Sequence, residues 1–249
     1  NGTVFGDWGT VVALAFFSGR SISSDLEDGN GFKIRNSQVD AFNQVLKFGF
    51  EPTDEHRFEF AYTNYEDEGT TPSNTTAAST FATDVERDVR VQTARLSWDY
   101  DPVANDLINL SVLAYGGAVE VKEPRPFDGR IDTSDYETFG FEVVNRSEFG
   151  NVTPVTLVYG LEYVVDEQDG TRNATTRPQF PNAKAESFSV FTEATIALND
   201  RFDLIAGARF DTYDRDVEDP TLADASDEFF SPRVGFSYRP TNNWQVYGN

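Results

Sequence analysis

The sequence predicts an all-β protein, an antiparallel transmembrane β-barrel. Three observations predict it: apolar side chains recur at every second position along most of the chain, tight and long connections alternate between these segments, and aromatic rings gather at both of their ends. Period two sends alternate side chains to opposite faces of an extended chain, so each segment has one greasy side and one wet side. That pattern suits a wall between lipid and water.

The elements follow in order. The first strand, 8–19, holds VVALAFF (Val11 to Phe17), the longest uninterrupted apolar run of the chain. The second, 38–51, ends in Phe48 and Phe50, and the third, 56–66, carries Phe58, Phe60 and Tyr62. Leu96, Trp98 and Tyr100 mark 88–101, while Ile108, Leu110, Val112 and Ala114, set against Asn109 and Ser111, mark 106–121. Phe139, Phe141 and Val143 lie in 135–149, and Val155, Leu157, Tyr159, Leu161 and Tyr163 in 154–166. After a strand at 186–198, RFDLIAGARFD puts Phe202, Leu204, Ala206, Ala208 and Phe210 opposite Asp203, Gly207, Arg209 and Asp211 within 201–214. Phe230, Val234, Phe236 and Tyr238 oppose Ser231, Arg233, Gly235, Ser237 and Arg239 in 228–240, and 243–249 completes an expected set of eleven strands with no helix.

Tight turns are expected near Pro52, Pro102, Asn151, Asn199 and Pro240, and long connections over 20–37, 67–87, 122–134, 167–185 and 215–227. Proline suits the tight corners because its φ is preset and no ladder hydrogen bond is lost there. One end tight and the other long is the asymmetry of outer-membrane barrels, whose strands need about 9–11 residues to cross the apolar layer. Trp98, Tyr100, Phe48, Phe50, Phe58, Phe202, Tyr238 and Trp244 fall near the tight turns, as one interfacial girdle would. Tyr62, Tyr115, Phe139, Tyr163, Phe210 and Phe230 are expected to form the second girdle.

Composition narrows the function classes. With 42 Asp and Glu against 20 Lys and Arg, the net charge is −22, which argues against nucleic acid, whose phosphates call for basic neutralisation. There is no cysteine, so thiolate metal sites and disulfides are excluded, and the single histidine, His56, restricts imidazole chemistry. No stretch reaches the 18 or so apolar residues of a spanning helix. Without a methionine or leader, and with a last segment that stops inside an alternating pattern, the chain reads as an internal fragment.

The stretch from Gly6 to Gly69, GDWGTVVALAFFSGRSISSDLEDGNGFKIRNSQVDAFNQVLKFGFEPTDEHRFEFAYTNYEDEG, resembles the early barrel of TonB-dependent outer-membrane receptors. FDLIAGARFDTYDRD and FFSPRVGFSYRPTNNWQVYGN are similar to that family's mid-barrel, with Ser231-Pro232-Arg233 a superfamily-wide signature. DGNGFKIRNS tilts the resemblance toward the branch taking up haem or haemoprotein iron. It implies a barrel of about 22 strands enclosing a plug. Residues 1–249 would then be part of a single barrel domain in the bacterial outer membrane, with the plug and the remaining strands missing. The implied function is TonB-driven import of an iron-bearing ligand, haem preferred and ferric siderophore as the alternative. The partners would be outer-membrane lipid, the inner-membrane TonB complex and that ligand, which is cargo and no cofactor.

On the wet face the alternation places Lys47, Glu59, Arg95, Asp99, Glu142, Arg146, Glu162, Glu193, Arg209, Asp211 and Arg233. They read either as a wall gripping the plug or as a wetted interior with charges paired among themselves. Phe81, Phe127, Phe180 and Phe229 are expected in extracellular loops as aromatic ligand contacts, while His56 is expected to be a solvated turn residue, remote from any iron. The acidic loops SSDLEDGNG, YEDEGTTPSN, VVDEQDG and DVEDPTLADASDEF read as solvated charge in preference to Ca²⁺ sites, since Asn36 stands at the closing position where the helix-loop-helix calcium motif requires Glu. The triplets at Asn74 and Asn173 carry no glycosylation argument in such a setting. No triad or metal site singles out an enzyme, and a passive porin and a secreted all-β binding protein stand as rival readings.

Overall fold

The computed structural model describes residues 1–249 except 24, 28, 34, 74–79 and 242. The period-two segments become strands throughout: β1 (Gly2–Asp7), β2 (Val11–Ile22), β3 (Val39–Thr53), β4 (His56–Pro72), β5 (Asp84–Tyr100), β6 (Leu110–Pro124), β7 (Ile131–Phe149), β8 (Val155–Arg172), β9 (Thr175–Thr176), β10 (Ala183–Asn199), β11 (Phe202–Val217), β12 (Ala225–Thr241) and β13 (Trp244–Gly248). They form one antiparallel meander in chain order, with the two-residue β9 pairing back onto β8 and with β1 and β13 at its edges.

The described residues hold thirteen strands where the period predicted eleven. β1, GTVFGD, has no alternation to detect: it pairs Gly2 with Phe17 through to Asp7 with Val12. The first expected strand therefore began too early. Trp8, Gly9 and Thr10 form the β1–β2 corner, where Gly9 has φ of +85° and the Trp8 indole lies against Gly6, in space that a Cβ would need.

Most strands also run past their expected outer limits. β4 ends at Pro72, β7 starts at Ile131 and β8 ends at Arg172, so the connections shrink to 73–83, 125–130 and 218–224. These overhangs carry mostly polar and charged side chains, which the period assigns to loop. Charge does not end a ladder in water: beyond both predicted limits Lys184 still pairs with Glu167 across β10 and β8, with an ion pair at 3.5 Å. One expected tight corner is longer than an expected long one, 101–109 against 125–130. The asymmetry of the two ends lies mainly in the strand overhangs, and Ile108 and Asn109 fall in the corner, outside the strand predicted for them.

Among the described residues the only buried apolar side chain is Val85. A single sheet has no second layer to pack against. Its apolar face stays open, with Phe48, Phe60, Leu96, Phe139, Phe188 and Val234 all more than a third exposed. A water-soluble protein would have to cover so large a patch, whereas lipid tails cover it at no cost.

Candidate functional site

Directly opposed residues of an antiparallel ladder share a face, so the register settles which side chains are neighbours. One row runs from Phe229 through Asp211, Ser189, Glu162, Glu142, Leu113, Ser97, Glu59 and Gly49 to Val12. Lys47, Glu59, Arg95, Asp99, Glu142, Arg146, Glu162, Glu193, Arg209, Asp211 and Arg233 all fall on this polar face, by alternation along each strand from that row.

The centre of the face is built on Arg209. Its guanidinium donates to Glu162 Oε2 at 2.9 Å, to Asp211 Oδ1 at 2.6 Å and to Ser189 Oγ at 2.8 Å, and it lies 5.8 Å from the Phe191 ring centroid. Ser189 in turn donates to Asp211 at 2.6 Å. β8, β10 and β11 are thereby tied side chain to side chain. Arg233 reaches Glu193 at 2.9 Å, Arg146 reaches Glu148 at 2.6 Å, and Arg57 engages Glu59. Arg239 pairs with Asp203 at 2.8 Å. These groups are partly exposed, so each pair contributes little alone, of the order of 0–1 kcal/mol. Their effect is a rigid, wetted wall. Lys47 and Arg95 line one shallow hollow with Phe5, Leu14 and Glu59.

Tyr115 corrects the second girdle. It stands opposite Arg95 and Gly140, on the polar face, with its ring laid over Gly140 where a Cβ would collide. Tyr62, Phe139, Tyr163, Phe210 and Phe230 keep the apolar side, Phe210 directly facing Phe230. The other girdle holds two ring stacks: Phe50, Phe58, Trp98, His56 and Tyr100 stack across β3, β4 and β5, and Phe202 stacks on Phe236. His56 belongs to that stack, 4.5 Å from the Tyr100 ring, and its Nδ1 accepts a hydrogen bond from Trp98 Nε1 at 3.2 Å. His56 keeps the place beside the β3–β4 turn expected for it, but its ring is half-buried in the stack, not free in solvent. An imidazole ring is flat enough to join a girdle, and the sequence period alone did not reveal its neighbours.

At the opposite end, Phe81 and Phe127 meet edge to face at 5.9 Å, joining the β4–β5 and β6–β7 connections. Phe180 lies under the Arg177 guanidinium at 5.5 Å. Phe229 is no loop residue: it sits within β12 opposite Asp211, inside the strand that the period itself places over 228–240. Nearby is a group the period did not mark. Asp132, 5% exposed, receives Arg172 at 2.8 Å and Arg130 at 3.1 Å, and Arg177 donates to Ser134 Oγ at 3.0 Å. The signal available in the sequence was the density of arginine in RPFDGRID and TRNATTR within an acidic chain. The triplet at Asn74 lies outside the described residues, as do parts of the acidic segments SSDLEDGNG and YEDEGTTPSN.

The family model for the TonB dependent receptor-like β-barrel matches residues 19–249. The chain belongs to this family. Its strands are those of an outer-membrane β-barrel. It is similar to the hemin receptor of Yersinia enterocolitica, 26% identical over 99% of this chain and 36% of that protein. It is also similar to the heme/hemopexin utilization protein C of Haemophilus influenzae (strain 86-028NP), 22% identical over 88% of this chain and 36% of that protein. Among solved structures, the FrpB iron transporter of Neisseria meningitidis (F3-3 variant) superposes with a TM-score of 0.75 at 17% identity, over 98% of this chain and 42% of that one. The chain thus spans about a third of the length of the curated relatives. In outer-membrane barrels generally, an apolar face is turned to lipid and a polar one inward.

Proposed function

We propose that these strands form part of a receptor that imports an iron-bearing ligand across the bacterial outer membrane, with haem or haemoprotein iron as the cargo. The observation that carries the reading is the single-layer meander, apolar and open on one face, cross-linked by ion pairs on the other, in a chain whose curated relatives are named for hemin and heme utilisation. In this reading residues 1–249 are one portion of a single barrel of about 22 strands, and the Arg209 wall meets a plug that the TonB complex pulls aside. Cargo crosses chemically unchanged, so no residue here is assigned a catalytic role. Iron ligation comes from elsewhere in the receptor, since His56 is held in the girdle stack of the apolar face.

The test is growth of a haem-auxotrophic, iron-starved host expressing the full-length receptor, with and without a working TonB complex. Growth on haem only when TonB is intact supports the reading. Growth on a ferric siderophore but not on haem replaces the cargo, and uptake independent of TonB points to a passive porin.

A further inference from the structure

At the end of the barrel that carries the strand overhangs, four arginines converge on the inner face. Arg125 and Arg130 face each other across the β6–β7 corner, the Arg125 amide donating to the Arg130 carbonyl at 2.7 Å, and both continue the inner-face alternation of their strands. Arg172 ends β8 on the same face, and Arg177 folds back over it to reach Ser134. The carboxylates within reach do not match them. Asp132 takes Arg172 and Arg130, Asp128 is the other acid beside Arg172, and Glu123 is engaged by Arg87. The Nε–H groups of Arg125, Arg130 and Arg177 are buried without a hydrogen-bond partner among the described residues. In a chain of net charge −22 this is a local excess of positive charge, held where donors have been withdrawn from water.

Apolar rings border it. Phe127 lies between Arg125 and Arg130 in the sequence and meets Phe81, both rings about 60% exposed, while Phe180 lies under Arg177. Arginine forks suit carboxylates and phosphates alike. Phosphates of the surrounding lipid are on the wrong side of the wall, because all four arginines are on or over the inner face. The bordering rings add an apolar surface on which a flat ligand can lie.

We propose that Arg125, Arg130, Arg172 and Arg177 form a docking site for the carboxylates of a planar, largely apolar ligand, with Phe81 and Phe127 receiving its body. The assignment of the inner face as the ligand passage rests on the function proposed above; the charge chemistry of the site does not depend on the cargo being haem.

The experiment uses purified full-length receptor, wild type and Arg125→Ala/Arg177→Ala, chosen because neither residue holds the Asp132 ion pairs. Heat-modifiable migration shows that both barrels are folded. Each is titrated with ferric protoporphyrin IX and its dimethyl ester, then with ferric citrate and a neutral ferric hydroxamate. The expected result is that wild type prefers the carboxylated member of a pair by about tenfold or more, that the double alanine variant loses this preference, and that Arg125→Lys/Arg177→Lys recovers part of it. Retention of the wild-type preference by the alanine variant, or no preference in wild type for either pair, overturns the site. Citrate preference without porphyrin binding overturns the site as one for a planar ligand and removes haem as the cargo.

Discussion

Two neighbouring residues of β11 give the sharpest test of the wall. Ala206 lies on the apolar face midway between Phe202 and Phe210, and Ile205 lies on the inner face at the same depth. Each girdle residue is four positions from Ala206, or about 13 Å along the strand, which becomes about 10 Å of depth at the usual tilt. Ala206 is therefore near the bilayer midplane, between Ala194 and Val234 on the adjacent strands. Ala206→Arg puts a guanidinium into hydrocarbon there, at about 2–4 kcal/mol, or a roughly 30- to 700-fold smaller folded-to-unfolded ratio. Ile205→Arg leaves its charge in the wetted interior beside Thr195 and Gly235, with an expected change below about 1 kcal/mol. Guanidinium titration of the full-length receptor in lipid vesicles, read by tryptophan fluorescence, measures both. Phe210→Arg, at the girdle, should fall between the two because the penalty fades toward the interface. Equal destabilisation by Ala206→Arg and Ile205→Arg would refute the facing.

These 249 residues hold no cysteine, so in a receptor freed of cysteine elsewhere single cysteines in 125–130 or 218–224 should react with an impermeant maleimide on intact cells, and one at Asp200 should not. Labelling at Asp200 alone would invert the topology. Arg209→Ala should destabilise by about 1 kcal/mol, well short of the 3–5 expected for a buried pair, with the loss shrinking in high salt; a salt-independent loss would contradict a wetted wall. His56→Ala should cost about 0.5–1.5 kcal/mol through lost ring contacts while leaving haem transport normal, and a transport defect in a fully folded variant would overturn its girdle role. In the β11–β12 connection, hydrogen bonds from the Thr221 hydroxyl and amide hold the Asp219 carboxyl below its ordinary value. That stabilisation is present above the ordinary carboxyl range and disappears as pH falls through the lowered value. Thr221→Val should raise the Asp219 titration, followed by carboxyl NMR, and an unchanged titration would dismiss the hydroxyl as its cause.

What the sequence determined is the division into faces. The charges of the polar face were legible, from Lys47 to Arg233, because strand period is two and a face once set by Phe202, Leu204 and Ala206 fixes Asp203 and Arg209 on the other. Most strands were legible for the same reason. The pattern failed where it was absent, as in GTVFGD, and where it continued without apolar residues, as in the charged overhangs of β4, β7 and β8. Backbone pairing in water asks nothing of side-chain polarity, so only the ladder shows where those strands stop. Contacts across strands were likewise decided by tertiary structure alone. Tyr115 lays its ring over Gly140, His56 joins a ring stack, and Arg130 and Arg172, 42 positions apart, meet at Asp132. Alternation assigns a residue to a side of the wall, whereas register decides which residues on that side touch.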